Sequence, residues 1–263
     1  MIFGGEFVAG IDLVDVALWL FTLFFFGLVA FLQRESMREG YPAEQEKSGR
    51  PGTTTPFFPP NPKVFKQPHG REDITMVYGP ADRRELALKP TAKFIGAPFE
   101  PTGENPLLDG VGPGAYAMRE DIADLTIEGA PRIAPFRDSH GFEVRPGDTD
   151  PRGLSVVGMD GEVGGTVVDL WVDRSEAIIR YFEVEVPLAD DKTKRVLLPV
   201  PFAVVQGGRN PRVTVHAIKG EQFAMAPTTK NELSVTRLEE DKITGFYGAG
   251  LLYATPERQE PLV

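Results

Sequence analysis

Carboxylates are the residues of this chain with the most chemistry to offer. Asp169, Asp173, Glu176, Glu183, Glu185, Glu239, Glu240 and Asp241 concentrate in the C-terminal half, with Asp121, Asp124 and Glu128 upstream. On a surface loop each would only solvate the chain, and for any one of them alone that is the plainer reading. Several carboxylates partly buried side by side behave differently, because desolvation and mutual repulsion raise their pKa values. Such a group takes up and releases protons near neutral pH, as a relay must. Arg174 and Arg180 are the cations expected to keep some members ionised.

Other chemistries find no support. The chain has no cysteine, so neither a disulfide framework nor a thiolate metal site is available. His69, His140 and His216 are too far apart in sequence to suggest a histidine metal cluster. The GGTVVD run lacks the strand-then-helix setting of a nucleotide-binding turn, and no P-loop, G-x-S-x-G or H-E-x-x-H occurs. A free-standing enzyme is therefore not expected, nor is a metal or cofactor bound by this chain alone. With 28 Lys+Arg against 38 Asp+Glu, the net charge of −10 opposes a nucleic-acid partner and simple adhesion to anionic lipid.

The elements that position these residues begin with Val16 to Leu32, VALWLFTLFFFGLVAFL. It has no charge and no proline, and as a helix it is about 25 Å long, extensible through Ile11–Asp15 toward a full crossing. No basic start precedes it and no small-residue cleavage site follows, against a signal peptide. Its aromatic residues spread around the whole circumference, as lipid favours and a one-sided core does not. The N-terminal flank carries Glu6, Asp12 and Asp15 without a basic residue, whereas the C-terminal flank carries Arg34 and Arg38. The positive-inside rule then predicts an outer N-terminus and a cytoplasmic main body. Pro42 predicts that the helix ends near Gly40.

The expected organisation is a tail over 1–10, a membrane helix with its extension over 11–40, an extended strap and irregular segment over 41–135, and a β domain with a C-terminal tail over 136–263. Ser48–Pro68 is proline-rich, and its Phe57, Phe58, Val64 and Phe65 suggest a strap lying on its own domain or on a partner. Asp73–Ile95 reads as hairpins, Pro98–Gly114 as loop, and Arg119–Asp124 as a short helical turn. From Phe142 onward, FEV, LSVVGMD, EVGGTVVDLWVD, AIIRYFEVEV, RVLLPVPFAVVQ, RVTVHAI and ELSVTRL are β-branched runs separated by turn signals. Their spacing predicts an antiparallel sheet closing into a small barrel. Glu183 and Glu185 should share one face. KITGFYGAGLLYA looks helical, and its glycines require that it be packed rather than exposed.

Several stretches in a fixed order carry a resemblance: the single N-terminal span, LQRESMREGYP, PKVFKQPHGR, DGVGPGAYAMRED, GTVVDLWVDRSEAIIRYFEVEV, RVLLPV and LEEDKITGFYGAGLLYA. Along nearly its whole length the chain resembles the H subunit of the purple-bacterial photosynthetic reaction centre. Gly165 to Val186 is similar to the PRC-barrel signature. The resemblance implies a pigment-free subunit of the intracytoplasmic (inner) membrane, capping the cytoplasmic face of L and M subunits. Those partners hold bacteriochlorophyll, bacteriopheophytin, quinones and a non-haem iron. A tetrahaem cytochrome subunit and light-harvesting proteins are further candidate partners. It implies proton conduction to the secondary quinone, with the relay carboxylate at Glu176, Asp173 and Arg180 beside it, and Glu240 in an acidic cluster facing the core subunits. At the proton-uptake point the family shows an aspartate and two histidines, where this chain has Thr126, Glu128 and Ala130. Asp124 and Glu128 are then the candidate acceptors. The competing reading is a membrane-tethered PRC-barrel adaptor for some other partner.

Overall fold

The structure is a computed structural model that describes residues 6–8, 11–38, 60–75, 84–94 and 96–259. The chain divides into two compact units, Met1–Arg83 and Arg84–Val263. In the first, β1 (Glu6–Val8) pairs antiparallel with β2 (Ile11–Asp12), and α1 follows over Leu13–Ser36. Asp12 caps α1: its carboxylate accepts from the Asp15 N–H at 2.9 Å, and the Asp15 carboxylate accepts from the Asp12 N–H at 3.3 Å. Two donors that a helix start leaves without partners are thereby satisfied. Thr22, the hydroxyl inside the apolar run, donates to the Leu18 carbonyl at 2.7 Å, as a helix in lipid requires.

α1 is the one helix, among the described residues, long and apolar enough to cross a membrane. None of its residues is buried within the chain, and Trp19 and Leu23 are each 70% exposed. The helix ends at Ser36 rather than near Gly40. Met37 caps it, and the Arg38 side chain turns back to Glu35 and donates to the Asn61 carbonyl at 2.6 Å. Arg38 is thus engaged within its own unit rather than projecting freely. In the strap, β3 (Val64–Phe65) pairs with β4 (Ile74–Thr75). Phe57 and Phe58 lie outside the described residues.

The second unit opens with a small hairpin, β5 (Leu88–Pro90) against β6 (Phe99–Pro101), so part of the expected Pro98–Gly114 loop is strand. Its sheet contains β7 (Ile133–Pro135), β8 (Ser155–Val157), β9 (Val163–Asp173), β10 (Ile178–Pro187), β11 (Thr193–Pro199), β12 (Ala203–Gln206) and β13 (Arg212–Val215). Hydrogen bonding follows the order β11-β10-β9-β8-β13-β12, with β7 also on β9. β7 comes from the segment that the sequence reading leaves irregular. The β13–β8 pair is parallel, not antiparallel, and the hydrogen-bonded path has β11 and β12 at its two ends.

Val156, Leu170, Val184, Leu198, Val213 and Val215 are fully buried and form the centre of the core. β9 is covered along most of its length, which is why its sequence runs nearly continuously apolar instead of alternating.

α2 (Arg237–Tyr253) packs on this core through Ile243, Phe246 and Tyr247. The Tyr247 ring lies 5.8 Å from Phe202 and 6.2 Å from Phe223, centroid to centroid. Burying Ile243 and Phe246 contributes roughly 1.5–3 kcal/mol each. The α2 glycines permit close approach. A Cβ on Gly245 would stand 2.7 Å from the Gly114 carbonyl oxygen, and one on Gly248 would stand 2.5 Å from that of Pro113. The helix therefore lies packed, as its composition demands.

Three sequence expectations fail locally. ELSVTRL is not a strand: Thr236 caps α2, its hydroxyl accepting from the Glu239 N–H at 3.1 Å while Glu239 accepts from the Thr236 N–H at 2.9 Å. The T-x-x-E capping box outweighs the β-branched residues. FEV is likewise outside every strand. Arg119–Asp124 is not helical but lies along the start of α2, with Ala123 bridging to Thr236 and the Arg237 N–H donating to the Ile122 carbonyl.

Candidate functional site

Asp173 ends β9 and Ile178 begins β10, so Arg174–Ala177 form the hairpin loop between them. The loop is shaped by Asp173 itself. Its Oδ1 accepts the backbone N–H of Ser175 at 3.0 Å and of Glu176 at 3.1 Å, the local turn that aspartate favours. Ala177 closes the loop with φ +54°, in the left-handed region. Glu176 therefore sits at the tip of a turn whose backbone is pinned from below.

The β9–β10 register then breaks. Ile179 faces Val172 and Tyr181 faces Trp171, leaving Arg180 as the extra residue of a bulge. A bulge bends its strand and re-aims a side chain. Here the Arg180 guanidinium reaches back to Glu176 at 2.5 Å and to Asp173 at 3.4 Å.

Arg132, just before β7, completes the cluster. It donates to Glu176 at 2.6 Å, to Asp173 at 3.1 Å and to Asp124 at 3.5 Å. Asp124 also accepts from Arg237 at 2.8 Å, and Arg237 reaches Glu120 at 3.3 Å. Glu120, Arg237, Asp124, Arg132, Asp173, Glu176 and Arg180 thus form one continuous hydrogen-bonded string. Asp124, Arg132, Asp173, Arg180 and Arg237 line a cavity of about 680 Å³ together with Arg119, Tyr181 and Glu240.

Electrostatics separate the members. Burial works against a charged Asp173, but Arg132 and the two backbone N–H donors outweigh it and hold the carboxyl below its ordinary value. Asp124 is likewise opposed by burial and held low by Arg237, with Arg132 adding to the effect. Glu240 goes the other way. Burial raises it, and the negative charges of Asp124 and Asp241 add to burial, while Tyr181 and Arg119 oppose the rise. Tyr181, buried at the bulge, donates to Glu240 at 3.3 Å.

Five of the six carboxylates and cations expected from the sequence, Glu176, Asp173, Arg180, Asp124 and Glu240, come to this cluster or its cavity. Their exposures differ widely: the Asp173 side chain is 1% exposed and that of Glu176 is 47%. Glu128 lies elsewhere, exposed in the Thr126–Gly129 turn.

Other candidates have structural duties. Glu239 belongs to the α2 cap and also accepts the Lys230 N–H at 2.8 Å. Asp121 pairs with Lys230 and accepts from the Thr236 hydroxyl at 2.7 Å. Arg174 does not join the cluster: it binds Asp138 at 2.9 Å and Ser139 at 3.1 Å.

Asp169, Glu183 and Glu185 form a second group. Arg137 binds Glu183 at 2.5 Å and Asp169 at 3.0 Å, Trp171 donates to Glu183 at 2.9 Å, and Arg195 reaches Glu183 at 3.2 Å and Glu185 at 3.8 Å. Arg195 spans both glutamates because they share a face, as the alternation predicts.

Sequence reasoning misses Arg132, Arg137, Arg237 and Tyr181. Each is a single residue without a motif, and only the fold brings it to its partner. Among the described residues, no group of three His, Cys, Asp or Glu side chains could hold a metal ion.

The comparisons with known families agree with this architecture. Residues 147–222, from before β8 into the helical turn after β13, match the family model of the PRC-barrel domain. Residues 5–138, just over half the chain, match that of the photosynthetic reaction centre H-chain N-terminal region. That family is a membrane-associated one, consistent with α1. From the apolar helix through the irregular segment to the barrel sheet, the chain belongs to the reaction centre H-subunit family.

Proposed function

We propose that this chain caps the cytoplasmic face of pigment-bearing L and M subunits and conducts protons toward the secondary quinone as it is reduced to quinol. α1 stands in the membrane with its N-terminus on the periplasmic side. The observation that carries the conducting role is the string in which Arg237, Asp124, Arg132, Asp173 and Arg180, on the wall of the 680 Å³ cavity, connect by hydrogen bonds to the half-exposed Glu176. A group that passes a proton onward must have one side open to the next acceptor, and Glu176 has it. Asp173 and Asp124, held low, stay charged and supply the negative potential that attracts a proton. Glu240, pushed up, is the member best placed to hold one. The cofactors of the redox reaction belong to the partner subunits.

Two experiments test the reading. A detergent-purified complex containing this chain should show near-infrared bacteriochlorophyll bands, and a colourless monomer would favour the adaptor instead. Within the complex, Glu176→Gln should slow the second, proton-coupled electron transfer by about tenfold or more, below the effect of a group in direct contact with the reacting atoms. An unchanged rate between about pH 6 and 9, the range in which such a relay works, removes Glu176 from the path.

A further inference from the structure

We propose that Tyr181 is a positioning residue for a proton held on Glu240, its hydroxyl joining the barrel sheet to the first turn of α2 at the cavity wall. The proposal rests on the proton-conducting role put forward above and adds to it a residue that no motif marks.

Three observations carry it. First, Tyr181 is 5% exposed, and its Oη lies 3.3 Å from Glu240 Oε2. Its ring is fixed by the bulge that leaves Arg180 as the extra residue of β10, so Tyr181 again faces Trp171 across the ladder. Second, both residues line the same cavity as Asp124, Asp173 and Arg132. Third, Arg237 and Arg180, which line that cavity with Glu240, are engaged with other carboxylates. Arg237 binds Asp124 and Glu120, and Arg180 binds Glu176.

The charged groups around Glu240 come from every neighbouring element. Arg119 and Asp124 belong to the 119–124 segment, Arg180 to β10, and Arg237 and Asp241 to α2, while Arg132 and Asp173 also line the cavity. Arg119 favours the carboxylate, and Asp124 and Asp241 oppose it. Among the described residues, its one direct side-chain donor is Tyr181.

A tyrosine suits this task better than a second cation. Its hydroxyl donates to Glu240 as carboxylate and keeps lone pairs to accept from Glu240 as acid, so the contact survives both states. A lysine there would hold the carboxylate charged and end its use as a carrier. Burial raises Tyr181 itself well above its ordinary range, so it keeps its own proton throughout.

Infrared titration of the assembled complex, with flash-induced electron-transfer kinetics on the same samples, tests the pair. The carbonyl band of protonated Glu240 is identified by its loss in Glu240→Gln. In Tyr181→Phe, which keeps the ring and its packing, that band should persist to higher pH by about half to one unit, the loss of one long hydrogen bond to a charged acceptor. The pH profile of the second electron transfer should move the same way.

A band whose midpoint is unmoved by Tyr181→Phe overturns the proposal, even where Glu176→Gln still slows the transfer and the conducting role stands. The absence of any such band overturns it too. A band that moves while the rate profile stays fixed upholds the Tyr181–Glu240 pairing and removes Glu240 from the path.

Discussion

Two clusters of arginine and carboxylate, built on the same two strands, differ in what surrounds them. In one, Glu183 on β10 and Asp169 on β9 are shared by Arg137, with Arg195 and the Trp171 N–H also on Glu183. The Glu183 side chain is 4% exposed, and its oxygens are occupied by cations and a neutral donor. In the other, Asp173 is as deeply buried, but its neighbour Glu176 is about half uncovered, and Asp173 lines a cavity that Glu240 shares. The residue types are the same. A saturated cluster fixes the sheet and has no vacancy for a proton. A cluster with one open carboxylate and one raised in pKa can exchange protons. The chemistry is decided by access, not by composition.

The sharpest way to break this contrast is Arg137→Met. It leaves two nearly buried carboxylates short of a shared counter-charge, and unfolding in detergent should lose about 3 kcal/mol, the lower end for a broken buried pair because Arg195 remains. A loss below about 1 kcal/mol, the scale of a surface pair, would show that the closed cluster is held no more tightly than an exposed one. Glu176→Gln should move the same unfolding free energy by less than about 1 kcal/mol, since Glu176 is half exposed. A larger loss would make Glu176 a structural residue and weaken its assignment to a relay.

The pH dependence sharpens the open cluster further. Asp173 is depressed in the fold, so it stabilises the fold fully above its ordinary carboxyl value of 3.8 and loses that contribution as pH falls below it. Asp173→Asn should therefore flatten the acid limb of stability below about pH 4. Glu240 has the opposite sign. Raised in the fold, it lowers stability as pH climbs from its ordinary 4.5 through its folded value, so Glu240→Gln should remove that decline. Unfolding curves with unchanged pH slopes in both variants would show that neither group is perturbed as its surroundings dictate.

The smallest effect is expected from metal ions. Thr126, Glu128 and Ala130 stand at the proton-uptake positions implied by the family resemblance, and no histidine pair lies there. Micromolar Zn²⁺ should therefore inhibit proton-coupled quinone reduction only weakly. Strong inhibition would point to a metal site built from other residues.

Much of the fold is legible because its signals are local. An uninterrupted apolar run, a β-branched run between Gly or Asp turns, and a glycine-rich helix each depend on residues a few positions apart. Where the reading slips, two local signals compete. In ELSVTRL a capping box lies inside a β-branched run, and the cap wins because it satisfies the otherwise unpaired N–H groups at the start of α2. At Arg119–Asp124 helix propensity loses to pairing with that same helix start. The carboxylates of the site are visible in the sequence as a set, but residue type and spacing do not show that Glu183 is saturated by cations while Glu176 stays open.

By itself, the sequence determined that one apolar helix precedes an acidic, mainly β body, that cysteine and clustered-histidine chemistry are absent, and that Asp173, Glu176 and Arg180 share one hairpin. Only the tertiary structure decided which cation each carboxylate meets. Arg132 reaches Asp173 across 41 residues, Arg137 reaches Glu183 across 46, and Arg237 reaches Asp124 across 113. Those encounters depend on strand order, on the bulge at Arg180 and on the docking of α2 through its glycines. Burial and the distance to the nearest opposite charge set a carboxylate's proton affinity, and both are properties of the folded chain.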